Sequence, residues 1–141
     1  MSKKNAQKVE DFMSRQLITL REGDKASQAA REMSIASIRH VPVVDAHGKL
    51  RGILSSHDVL ALLEKSGDAT LGAIMTQRVY TVGPRTPAYE AVGMLIDLKI
   101  NALPVVNDTG DILGIITATA VPANLLPAGE KPRPNYSPTS D

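Results

Sequence analysis

Apolar and polar positions along this chain form a short series of runs, and the series occurs twice. Val41-Pro42-Val43-Val44 is an unbroken apolar run of strand length, and Asp45-Ala46-His47-Gly48 follows as a four-residue turn with glycine where a positive φ is expected. Lys49 to Leu54 predicts the returning strand, and Ser55 to Leu63 a helix. The proline predicts that its strand carries it near the start or at an edge, since it has no ladder donor. Sixty-two residues on, Leu103–Val106, Gly110 and Asp111–Ile116 repeat the plan, and a last helix is expected to open at Thr117, short or kinked because of Pro122.

Upstream, each copy carries a longer helical stripe: Ala26, Ala29, Ala30 and Met33 in the first, Ala88, Ala91, Val92, Leu95 and Ile96 in the second. Asp24 predicts the N-cap of a helix over about residues 25–36. Thr86 followed by Pro87 predicts the cap and first position of the other helix. Short strands are expected at Leu17–Leu20 and Val79–Val82, preceded by short helices at Val9–Met13 and Leu71–Met75. The same offset carries Met13 onto Met75, Thr19 onto Thr81 and Ile38 onto Ile100 without insertion.

A unit of about 60 residues buries only ~60% of its unfolded surface and is marginal alone. Two tandem units therefore predict one α/β (α+β) body of two β-α-β-β-α repeats packed with pseudo-twofold symmetry. The expected divisions are an N-terminal arm at 1–8, repeats at 9–65 and 71–124, a linker at 66–70 and a proline-rich, disordered tail at 125–141. The stripes Ala29/Met33 and Ala91/Leu95 suit either that core or a contact with a second chain.

Sixteen basic and fifteen acidic residues give a net charge of +1 with no basic block, which argues against a nucleic-acid partner. The absence of cysteine excludes disulfides, thiolate nucleophiles and cysteine metal sites. No apolar run approaches the ~18 residues of a membrane span, and the first residues lack an apolar signal region, so a cytoplasmic location is expected. His40, His47 and His57 show no metal-ligand spacing, and no nucleophile or phosphate loop accompanies them. The expectation is a non-enzyme without metal or required cofactor.

Ser55 and Asp58 form a hydroxyl-x-x-carboxylate pair at the start of a helix. That spacing fits an ordinary helix cap worth about 1 kcal/mol. It also fits a carboxylate placed to accept hydrogen bonds from ribose hydroxyls, with the helix's positive end favouring a phosphate.

The order β-α-β-β-α, the doubled apolar-Pro-Val-Val strand and the Gly-apolar-apolar-Ser/Thr run before the last helix resemble a tandem CBS domain pair, or Bateman module, over about residues 9–122. The matches Pro42/Pro104, Gly48/Gly110 and Gly52/Gly114 carry this resemblance. It implies a stand-alone regulatory module that binds AMP, ADP, ATP or S-adenosylmethionine in clefts between the copies. It also implies a homodimer of pairs and a client enzyme or transporter.

By the same resemblance Ser55 and Asp58 hold the ribose in one cleft. Tyr80, Ile100, Asn101 and Ala102 of the other copy form its base-binding wall, with Tyr80 read either as a stacking residue or as a half-exposed strand residue. Arg39 and His40 stand where phosphates are reached, Arg39 otherwise being solvated and His40 otherwise structural. The second copy replaces Ser55-Ser56-His57-Asp58 by Thr117-Ala118-Thr119-Ala120 and keeps no carboxylate. The cleft marked by Thr117, Ile18 and Ile38 is therefore expected to be the weaker. A ligand-free module that docks a client protein is the competing reading.

Overall fold

In the computed structural model, which describes residues 7–73 and 79–125, the run at 41–44 becomes the middle of a three-stranded sheet. Strand β1 (Leu20–Arg21) pairs parallel with β2 (His40–Val44), and β2 pairs antiparallel with β3 (Leu50–Ser55). The second copy supplies the antiparallel pair β4 (Ala102–Val106) and β5 (Ile112–Thr117). Val41 lies opposite Leu54 and Leu103 opposite Ile116, with register breaks after Val43 and Val105, so the two hairpins match residue for residue. The strands expected at Leu17–Leu20 and Val79–Val82 shrink to β1 and to isolated bridging positions at Val79 and Val82.

Pro42 does not sit at a strand start or sheet edge as expected; it is the third residue of a central strand. The matching contacts around Pro104 explain the tolerance. The Val82 amide donates to the Pro104 carbonyl at 3.1 Å, and the Val106 amide donates to the Val82 carbonyl at 2.9 Å. Parallel pairing thus begins at the proline's carbonyl, so its missing donor falls outside the ladder. Both hairpin turns have glycine at positive φ, 81° at Gly48 and 86° at Gly110. Asp45 Oδ1 accepts the His47 and Lys49 amides, as Asn107 Oδ1 accepts those of Thr109 and Asp111. The Lys49 amide is the main reason the Asp45 carboxyl is held below its ordinary range, with the His47 amide adding to it.

The helices are α1 (Ala26–Ala36), α2 (Ser56–Ser66) and α3 (Ala88–Leu98). Ala26, Ala29 and Met33 are buried from α1 and Ala88, Ala91, Val92 and Leu95 from α3, whereas Ile96, expected in the same stripe, lies 49% exposed. Both end on a left-handed residue, Ser37 and Lys99. The helix expected at Thr117 is reduced to single 3-10 turns at Ala118–Ala120 and Ala123–Leu125, on either side of Pro122.

The predicted caps prove to be turn residues. Asp24 Oδ2 accepts the Arg21 amide, and Thr86 Oγ1 accepts the Gly83 amide, while the helices begin after Lys25 and Pro87 with no side-chain cap. Capping comes instead from distant chain. The Ala26 amide donates to the Ala69 carbonyl at 2.9 Å, and the Ala88 amide to the Gln7 carbonyl at 3.0 Å. Asp68 adds to the first of these, accepting both the backbone amide and the hydroxyl of Ser27, which hold its carboxyl below the usual range.

The exchange continues along both lead-in segments. The Leu71 amide donates to Asp24 O and that of Gly72 to Glu22 O; the Val9 amide donates to Thr86 O and that of Glu10 to Pro84 O. Each copy's lead-in therefore packs on the helix and turn of the other copy. Gln7 and Lys8, assigned by the sequence to the arm, belong to this contact, Lys8 bridging to Pro87. The other residues of that arm, the linker-side residues 74–78 and the expected tail from 126 onwards lie outside the described residues.

Contacts accordingly divide the described chain into two units, residues 17–73 with Val79 and residues 7–16 with 80–125. Leu20, Ala29, Met33, Val41, Val43, Leu54, Val59 and Leu71 form the core of the first. Val9, Met13, Val82, Val92, Leu95, Leu103, Val105 and Ile116 are among the core of the second. Ser14 runs beside Ile115, with amide-to-carbonyl bonds in both directions at 2.8 and 3.0 Å. Gly114 permits this approach, since a Cβ there would lie 2.6 Å from the Ser14 carbonyl oxygen.

Two outcomes follow from the exchange. Val9→Ala should destabilise by about 1.5–3 kcal/mol, and hydrogen exchange should show faster opening in α3, β4 and β5 rather than in β1–β3. Gly114→Ala should cost about 1–3 kcal/mol through overpacking, read as a lower urea midpoint.

Candidate functional site

The end of the β2–β3 hairpin and the start of α2 gather four first-copy candidates. His40 opens β2 directly opposite Ser55, the last residue of β3. Ser55 is the N-cap of α2, its Oγ accepting the Asp58 amide at 3.1 Å. The Ser56 amide donates to the Arg39 carbonyl at 2.8 Å and ties the helix start to the strand start. Sequence reasoning had no signal for this role of Ser56, because the bond is between main-chain groups.

The Ser56 and Asp58 amides are thus already paired, which leaves fewer of this helix's first amides to a phosphate. The serine hydroxyl does the capping. The Asp58 carboxylate stands exposed on the first turn, and among the described residues it has no hydrogen-bond partner. A carboxylate in that position can accept two hydroxyl donors from a ligand.

Arg39 is exposed and His40 half-buried. Burial pushes the His40 imidazole below its ordinary pKa, the Arg39 guanidinium pushes it further down, and the Asp58 carboxylate pulls it part of the way back. Ile18 and Ile38 belong to the same unit but pack on its core cluster.

Tyr80, Ile100, Asn101, Ala102 and Thr117 lie in the other unit. Tyr80 is half-buried and packs with Ile100 and Phe12 on that unit's core, Ala102 is buried at the start of β4, and Asn101 is exposed. Thr117 does not cap. Its hydroxyl lies 3.3 Å from that of Thr119, and a single 3-10 turn stands where the first copy has α2. The second copy thus lacks the carboxylate, both basic neighbours and the helix.

Among the described residues no group of three or more His, Asp or Glu could hold a metal ion, and no helix is long and apolar enough to cross a membrane.

A repeated parallel-strand, helix and hairpin unit, with one copy carrying a polar cluster at its hairpin end, defines a tandem repeat module of mixed α and β structure. A family profile for the CBS domain matches residues 9–65 and again 71–121. The chain belongs to the CBS domain family, as a tandem pair.

Among relatives of known name, the homoserine O-acetyltransferase of Methanohalobium evestigatum is 33% identical over 110 residues, 78% of this chain and 22% of that protein. The inosine-5′-monophosphate dehydrogenase of Korarchaeum cryptofilum is 34% identical over 118 residues, 84% of this chain and 24% of that protein. The chain thus spans under a quarter of the length of these enzymes.

Among solved structures, the CBS domain pair of protein MJ0100, in complex with 5′-methylthioadenosine and S-adenosyl-L-methionine, superposes with a TM-score of 0.75 at 32% identity, covering 81% of this chain and 91% of that one. The AMP complex of CBSX2 gives a TM-score of 0.72 at 26% identity, covering 80% and 91%. An acetoin utilization protein of Vibrio cholerae gives 0.75 at 38% identity, covering 81% and 87%.

The state of His40 makes stability depend on pH. Its folded pKa is depressed, so the unfolded chain binds the extra proton. The contribution to stability is complete above the ordinary value of about 6.5 and is lost as pH falls from there through the folded pKa. Urea midpoints measured from pH 7.5 down to 5 should fall in the wild type and fall less in His40→Gln.

Proposed function

We propose that this CBS pair is a regulatory module whose first-copy site binds an adenosine-containing ligand: AMP, ADP, ATP or S-adenosylmethionine. The observation that carries the reading is the division of labour at α2, where Ser55 caps the helix and Asp58 is left exposed and without a hydrogen-bond partner among the described residues. In this reading Asp58 accepts the ribose hydroxyls and Arg39 and His40 meet the 5′ substituent. Tyr80, Ile100, Asn101 and Ala102 are proposed as the base-binding set, and the Thr117 position with Ile18 and Ile38 as a weaker second site. The adenosine ligands named for the MJ0100 and CBSX2 structures support the ligand class.

Occupancy is proposed to act through a change in conformation or in homodimer packing, on a client enzyme or transporter, without catalysis by the pair itself. A cytoplasmic location is part of this proposal. The competing reading, a ligand-free module that docks a client, draws support from Ile35 and Leu60, 77% and 59% exposed on α1 and α2.

Calorimetry with AMP, ADP, ATP and S-adenosylmethionine distinguishes the two. Binding by at least one is expected, and Asp58→Ala should weaken it by about 1–3 kcal/mol, the scale of hydrogen bonds to a charged group. Absence of binding at millimolar concentration, with a client captured equally by wild type and Asp58→Ala, would favour the docking module.

A further inference from the structure

We infer that His40 makes the ligand preference of this site depend on protonation: once charged, it favours adenosine ligands whose 5′ group is anionic over neutral ones. This rests on the adenosine reading above and adds to it the property of the ligand that the site senses.

A helix start ordinarily meets an anion with its first free amides. At α2 the Ser56 amide is committed to the Arg39 carbonyl and the Asp58 amide to Ser55 Oγ. With these two amides committed, side-chain charge matters more for a phosphate or sulfate bound here. On the β2 side the basic side chains are Arg39 and His40; on the α2 side the charged group acting on His40 is Asp58, with His57 the other titratable residue of the same turn. Arginine stays charged at every relevant pH. His40 is the half-buried member of the group, and imidazole changes charge near neutrality.

The comparison between copies separates this role from a purely structural one. Ala102 occupies the His40 position, with the same register opposite Thr117 that His40 has opposite Ser55, and the hairpin forms alike in both. The fold of the hairpin therefore does not require an imidazole. Arg39, His40 and Asp58 are replaced together, by Asn101, Ala102 and Ala120, so the two basic residues occur as a set with the exposed carboxylate.

In the free protein, burial and Arg39 disfavour the imidazolium. A 5′ anion brought beside Arg39 adds negative charge next to His40 and makes proton uptake favourable. By linkage, acid then tightens binding of the anion and leaves a neutral nucleoside unaffected.

The test uses adenosine 5′-sulfate, whose charge is constant over the range, and adenosine, which is neutral, titrated calorimetrically into the whole protein at pH 8 and pH 5.5. Affinity for the sulfate should rise about tenfold on acidification, equivalent to one unit of coupled pKa, while that for adenosine stays level. The rise should vanish in His40→Gln. Independently of any variant, the NMR titration midpoint of the His40 imidazole should move upward when adenosine 5′-sulfate is bound. Binding of both ligands with no pH dependence, or an unmoved midpoint, would overturn the inference and leave the adenosine site standing. Failure of both ligands to bind at either pH would overturn the site and the inference together.

Discussion

The first amides of α1 and α3 need acceptors, and neither helix finds one nearby. Ala26 takes its acceptor from Ala69 and Ala88 from Gln7, so both helix starts are completed by main chain that arrives from the other copy. An unpaired buried amide is costly, and in each case the acceptor comes with an apolar anchor. Leu71 and Val9, both fully buried, are the equivalent side chains of the two lead-in segments. Hydrogen bonding and burial thus coincide on the same few residues. The repeat in sequence and the packing unit in space are different divisions of the chain for this reason.

Equivalence between the copies holds wherever the constraint is geometric and fails where it is chemical. The hairpin register, the turn glycines and the left-handed helix ends at Ser37 and Lys99 recur because each is set by backbone geometry. The first turn after the hairpin is under no such obligation. One copy continues into an eleven-residue helix carrying a carboxylate, and the other closes in a single 3-10 turn of alanines and threonine before Pro122. Charge is concentrated at one hairpin end and absent from its counterpart. That contrast is what directs attention to Asp58 and its neighbours.

Local patterns disclosed the hairpins, because an apolar run closed by an Asx-Gly turn encodes both the pairing and the register. They also disclosed Ser55 as a cap, since its acceptor role involves a donor only three residues away. Asp24 and Thr86 misled for an instructive reason. Both are cap-type residues near a helix start, but each closes the preceding turn on Arg21 or Gly83, because a distant carbonyl already serves the helix. The same non-locality hid the role of Gln7 and Lys8 and the demand on Gly114. Pro42 was legible as a strand residue but not as a central one, since its tolerance depends on where a short parallel neighbour begins to pair. At the candidate site, residue types singled out Asp58 and Arg39 for a proposal, whereas the main-chain bonds that commit the Ser56 and Asp58 amides left no trace in sequence.

The lead-in exchange also sets an order of events. Residues 17–73 hold every element of one unit's main hairpin, its two helices and its own borrowed segment, so that unit can close before the rest of the chain has been synthesised. The other cannot. Its earliest piece, with Val9 and Ser14, waits first for Thr86 and then for Ile115, the second of them nearly the full described length away. Contacts of such separation form slowly because loop closure precedes any gain from packing. A chain assembled from its N-terminus therefore carries an apolar segment whose packing is completed only with β5, and the half of the molecule bearing the charged cluster is the half that can close first.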